Sequence, residues 1–226
     1  MCGAIADVRA ACRDERQRAL VDLVVRVTRE PWALSSADRG GLGDDDVLHA
    51  IALSAFFGHL NRIADATGVP LDYRVAIEVA PADAAMAPMA TASERVRGAR
   101  AIEMTQRPAT LAALTAWRDY VMGKPSPLSR EERAAIASWV GDWLGDSDDG
   151  DDDAATAPAI AASPRAVALK ALAEIATLAP WQLGEAAYAP LRALGFDDPA
   201  IFDACATASS CGAFSRIDVA LRALLR

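Results

Sequence analysis

The chain is poor in the groups that usually announce chemistry. Its 226 residues hold four cysteines, two histidines and few aromatics, 6% in all. Cys2, Cys12, Cys205 and Cys211 are too few and too irregular for a disulfide scaffold or a zinc site. Cys2 and Cys12 lack the two-residue spacing of a redox pair. Cys205 and Cys211 stand six apart on an expected helix, on different faces and beyond disulfide reach, and read as buried thiols. Basic residues are outnumbered as well, 23 to 31 acidic ones: the formal net charge is -8 and the pI about 4.8, so nucleic acid and anionic membrane are disfavoured as partners. The longest apolar run, AIALSAFFGHL, is too short to span a bilayer, and no basic segment followed by an apolar stretch opens the chain. The expectation is a soluble cytoplasmic protein. No metal or cofactor is expected.

What the chain does have is apolar content, 53%, enough to bury a core of one large domain or two interlocked halves. It also repeats itself. ALVDLVVRVTREPWAL (19–34) aligns without a gap on ALKALAEIATLAPWQL (168–183). Leu20, Leu23, Thr28, Pro31, Trp32 and Leu34 fall on Leu169, Leu172, Thr177, Pro180, Trp181 and Leu183. After a short loop insertion, residues 41–66 align on 195–220, with Gly58, Arg62 and Ile63 on Gly212, Arg216 and Ile217.

The first helix of each copy has apolar residues at i, i+3, i+4 and i+7, and a proline stops it. The second helix begins with aspartate in both copies; Asp198 and Pro199 predict an N-cap and first-turn pair. Its interior is apolar nearly all round, which places it in the centre of a core or between subunits. Between the copies, 79–100 reads as a linker. DYRVAIEV (72–79) is one candidate strand, without an evident partner. Residues 108–122 form a further helix. In LSREERAAIASWVGDWLG, Ser129 and Glu132 predict a capping box ahead of an apolar stripe of Ala135, Ile136, Trp139, Val140 and Trp143. The fold class is all-α, built from two internal repeats: a truncated first unit over 1–78, a linker over 79–107, and a second unit over 108–226 with an acidic loop at 146–164.

Three stretches, RQRALVDLVVRVTREP (16–31), GDDDVLHAIALSAFFGHLNRIADATGVPLD (43–72) and PATLAALTAWRDYVMGKPSPLSREERAAIASWVGDWLG (108–145), resemble the alkylhydroperoxidase D-like, or carboxymuconolactone decarboxylase-like, family, in particular its peroxidase-related branch. With the second copy, the resemblance covers about two thirds of the chain. It implies a helical fold and an oligomer. In thiol-peroxidase members it also implies a glutamate, eleven residues, then C-x-x-C-x-x-x-H, whose thiolate attacks peroxide and whose second thiol resolves the sulfenic acid. Laid on LSREERAAIASWVGDWLGDSDDGDDD (128–153), those four places are Ala134, Asp146, Asp149 and Asp153. A carboxylate cannot run that cycle, and the expectation is a solvated acidic loop filling a deleted active-site segment.

Other candidates carry two readings each. The acidic run misses an EF-hand register by one, since Gly150 is fifth from Asp146. His59, Arg62 and Asp65, three residues apart, would share a helix face and could bind a small acid or move a proton in an interhelical cleft. Arg216, aligned with Arg62 but flanked by Ala213 and Ser215, favours a structural arginine instead. His49 belongs to no motif. Trp32 and Trp181 read as core plugs, with a pocket wall as the alternative. The function expected is therefore a binding or oligomeric scaffold protein that has lost thiol-peroxidase chemistry. The alternatives are a non-redox enzyme of the decarboxylase type using His59 and Arg62, and redox chemistry by Cys205 and Cys211 across subunits. A homo-oligomer and a small-molecule ligand are the partners considered.

Overall fold

A computed structural model describes residues 2–69, 86–94, 96–97, 108–147 and 163–225. Eight α-helices lie among them: α1 Cys2–Ala11, α2 Glu15–Arg29, α3 Asp44–Thr67, α4 Pro108–Gly123, α5 Arg130–Leu144, α6 Pro164–Leu178, α7 Glu185–Ala193 and α8 Asp198–Leu224. The all-α expectation holds. One two-residue parallel pairing joins Val96 to Asp146 and Arg97 to Ser147. The strand expected at 72–79 lies outside the described residues.

Local chemistry sets the helix ends. Asp14 caps α2 by accepting from the Gln17 N–H at 2.8 Å, and Ser163 caps α6 from Ala166 at 3.1 Å, with Pro164 in the first turn. Ser129 and Glu132 form the expected capping box of α5, which satisfies two otherwise orphaned donors. On α8 the cap is one residue earlier than expected. Asp197 accepts from Ala200 at 2.9 Å, while Asp198 is the first helical residue. The proline ring still sits where no helix N–H is required.

The two aligned segments end alike. Before Pro31 the backbone of Glu30 has φ -141° and ψ 59°, and before Pro180 that of Ala179 has φ -143° and ψ 53°. A residue preceding proline is pushed off the helical conformation, so both segments leave the helix at the same place and form a short 3-10 turn, Pro31–Ala33 and Pro180–Gln182. Trp32 is buried, packed where α5 ends at Gly145. That glycine has φ +76°, and a Cβ there would lie 2.6 Å from the Cβ of Trp32. Both the left-handed backbone and the close approach require glycine.

Helix α8 is the axis of the molecule, packing on α3, α5 and α6, and is buried over nearly its whole length. Its first half joins a core with Ile136, Val140 and Leu144 of α5 and Leu169 and Leu172 of α6. Its last three turns join a second core with Leu23 and Val27 of α2 and Val47 and Ile51 of α3. Within the expected linker, residues 86–90 are tied down, Ala87 donating to the Leu178 carbonyl at 3.0 Å and Ala90 to that of Trp143 at 2.9 Å.

Helix α3 differs. Val47, Ala50, Ile51 and Ala55 are buried, but Leu53, Phe56, Phe57 and Leu60 are exposed. Of the described helices it alone has the length and composition to cross a membrane, with a mean hydropathy of 1.2 over its most apolar window, 22% of which is buried. The run AIALSAFFGHL is part of a 24-residue helix.

Candidate functional site

Arginine at the G-x-x-x-R turns of α3 and α8 organises the centre. Arg62 donates from Nη1 to the Gly58 carbonyl at 2.8 Å and from Nη2 to the Thr177 carbonyl at 3.2 Å. Arg216 repeats the first contact on Gly212 at 2.9 Å, reaches the same Thr177 carbonyl at 3.4 Å, and donates from Nε to the Thr28 carbonyl at 3.0 Å. Thr28 and Thr177 are aligned positions in the last turns of α2 and α6. Helix C-termini present unpaired carbonyls and a partial negative charge, so guanidinium groups are stabilised there without a carboxylate.

The price of that arrangement is desolvation. Burial pushes the Arg62 guanidinium down to about 10. Burial, and then the positive charge of Arg62, push Arg216 well below the usual arginine range. Gly58 and Gly212 make room: a Cβ would lie 3.0 Å from Arg62 Nη1 and 2.9 Å from Arg216 Nη1.

His59 is half-buried beside this pair. Its Nδ1 lies 2.9 Å from the Ser209 hydroxyl, which donates to the His59 carbonyl at 3.2 Å. The arrangement that uses both contacts puts the proton on Nδ1. Its ring meets Trp117 edge-on at 4.8 Å. Burial, then the charge of Arg62, hold His59 below the usual histidine range, so it is neutral near pH 7. Asp65 is exposed, and among the described residues no ion pair joins it to Arg62.

His59 and Arg62 thus lie together against α6 and α8 while Asp65 faces outward, because residues six apart on a helix are separated by about 600° of rotation. Both inward groups contact carbonyls, a hydroxyl and an indole. A cavity of about 40 Å³ lies further along, lined by Leu48, His49, Ile51 and Ala52 of α3, Thr110 and Leu114 of α4, and Ile217 and Leu221 of α8. That volume holds about one or two waters, far below the roughly 300 Å³ of a small-molecule pocket.

The sulfurs are secluded. Cys205 and Cys211 are buried and free, and burial pushes both thiols up to about 12. A thiolate is the attacking species, so neither is poised for it at neutral pH. Cys12 is partly buried, its Sγ 3.4 Å from the Val8 carbonyl. Among the described residues no group of three His, Cys, Asp or Glu gathers as a metal site.

Of the four places implied by the thiol-peroxidase pattern, Ala134 is half-buried on α5, and Asp149 and Asp153 lie outside the described residues. Asp146 departs from the expectation of a solvated loop. It pairs with Arg222 of α8, a fully buried arginine. A buried cation needs a partner, and the first aspartate of the run supplies it.

Two further ionic contacts were not anticipated. Arg133 of α5 pairs with Asp203 of α8, donates to Thr207 Oγ1 at 2.9 Å and to the Lys124 carbonyl at 2.8 Å. Arg118 lies 3.8 Å from buried Asp218. The signal for the first was visible: Arg133 falls on the same helical face as Ile136 and Val140, where an arginine must find a buried acceptor.

No protein-family model, curated protein or solved structure matches this chain.

Proposed function

We propose that this chain is an alkylhydroperoxidase D-like, two-repeat protein that has lost thiol-peroxidase chemistry and serves as a cytoplasmic binding or scaffold protein acting as a homo-oligomer. The observation that carries this reading is the arginine wiring. Arg62 of the first sequence copy bonds Thr177 of the second, and Arg216 of the second bonds Thr28 of the first. Each copy's signature residue holds the end of the other copy's first helix, as expected of a duplicated unit whose arginine is structural. The wiring engages both Nη atoms of Arg62 and Nδ1 of His59, which an acid-binding cleft would need, and burial holds the two cysteines in the thiol form.

The test is hydroperoxide turnover by purified protein with dithiothreitol as reductant, alongside thiol titration of native protein. The expected result is no turnover and unmodified Cys205 and Cys211. Turnover abolished by Cys205→Ser or Cys211→Ser overturns the reading. An Arg62→Met variant separates the decarboxylase-type alternative: loss of stability supports the structural role, whereas a stable fold that has lost affinity for a small carboxylic acid supports the cleft.

A further inference from the structure

Helix α3 leaves an apolar stripe uncovered. Leu53, Phe56, Phe57 and Leu60 are 55, 47, 55 and 42% exposed, and their i, i+3, i+4, i+7 spacing puts them on one face. On α8 the aligned residues are Thr207, Ser210, Cys211 and Phe214, all buried. There α5 supplies Arg133 to Thr207, and α4 supplies Trp117, edge-on to Phe214 at 4.7 Å. The face that α4 and α5 cover on α8 is the face that no described element covers on α3. A contiguous apolar stripe of this kind marks an interaction site.

We propose that a second copy of this chain covers it, α3 packing antiparallel on the partner's α3 about a two-fold axis that passes between Phe56 and Phe57. This rests on the scaffold reading and names its partner.

Three features select a second copy. The stripe reads the same from either end, Leu53 mirroring Leu60 and Phe56 mirroring Phe57, which is what a self-complementary interface requires. Residues 47–61 contain no Asp, Glu, Lys or Arg, so identical faces meet without repulsion. Charge then decides the direction. Asp44, Asp45 and Asp46 crowd the first turn of α3; parallel packing would set the two clusters side by side, while antiparallel packing separates them by roughly 30 Å and opposes the helix dipoles. The same aspartates and the net charge of -8 disfavour an anionic lipid surface as the cover.

The test is sedimentation velocity of the full chain across a micromolar concentration series. The expected result is a dimer. Phe57→Asp, which sets like charges beside the axis, weakens it by more than about 30-fold with the helical circular dichroism unchanged, and with a Tm equal to that of wild type at dilutions where both are monomeric. Phe202→Asp, at an exposed site elsewhere on α8, leaves the dimer intact.

With Cys2 and Cys12 replaced by serine, a mixture of Leu53→Cys and Leu60→Cys proteins is joined by a short bis-maleimide, and neither alone is. A monomer at every concentration, a dimer indifferent to Phe57→Asp, or cross-linking of Leu53→Cys alone in preference to the mixture overturns the pairing. So does capture of wild-type monomer, but not Phe57→Asp, by neutral phosphatidylcholine vesicles. A monomer without peroxide turnover overturns this pairing and the homo-oligomer while leaving the loss of thiol-peroxidase chemistry and a monomeric binding role; a dimer with turnover does the reverse.

Discussion

Helices α3 and α8 align in sequence, carry the same G-x-x-x-R turn and wire their arginines to helix ends, yet one is the axis of the core and the other forms a wall. The difference lies in their neighbours. Helix α8 is enclosed by α3, α5 and α6, with the Trp117 side chain of α4 against Phe214. Among the described residues helix α3 has no counterpart of α4 and α5 on its outer side, and its large apolar residues stay exposed. A similar pattern of apolar residues therefore sustains two burial states, and mutations at aligned positions should have unequal costs.

The widest gap is expected at Phe214 and its aligned residue Leu60. Phe214→Ala empties a site packed against Trp117 and should cost about 3–5 kcal/mol, whereas Leu60→Ala should cost under about 1 kcal/mol. Urea unfolding of both variants at a concentration where the chain is monomeric measures the gap, and equal losses would break the comparison.

The arginines come next. Arg216→Met strands three carbonyl contacts and should lose about 3 kcal/mol; Arg62→Met strands two and should lose about 2 kcal/mol. Thermal denaturation resolves that order.

A smaller effect is expected at the glycines. Gly212→Ala crowds Arg216 Nη1 at 2.9 Å within a closed core, for about 1–2 kcal/mol of destabilisation. In Gly58→Ala the contact is 3.0 Å, and the gain of roughly 1 kcal/mol in helix propensity should leave the change near zero. Destabilisation of Gly58→Ala equal to that of Gly212→Ala would show that α3 is as confined as α8.

The smallest expected effect is a pH dependence at His59. Its folded-state pKa is lowered from 6.5, so above that value it is neutral in both states. As pH falls below about 6.5 the unfolded chain takes up the proton first, and stability declines until the folded pKa is reached. Comparison of wild type with His59→Gln at pH 7.5 and 5.5 isolates this contribution; a wild-type loss no larger than that of the variant would remove it.

Much of the helical plan was legible. Amphipathic spacing, the Ser129–Glu132 box and the prolines at Pro31 and Pro180 are local signals, so the helices and their ends follow from short stretches of chain. The candidate site was less so. His59, Arg62 and Asp65 share a spacing, but spacing cannot say which of them meets Ser209, which meets the end of α6 and which faces water. Asp146 looked like one charge among many until Arg222, 76 residues away in the chain, supplied a reason for burying it.

By itself the sequence determined that the chain is helical, where the aligned segments 19–34 and 168–183 break, and that its thiols lack the spacing of a redox pair; these depend on contacts within a few residues. Tertiary structure alone decided that α8 is enclosed while α3 is bare, that two arginines converge on one carbonyl, and that the first aspartate of an acidic run closes an ion pair. Burial is set by which elements arrive on each face, and that depends on the packing of the whole chain.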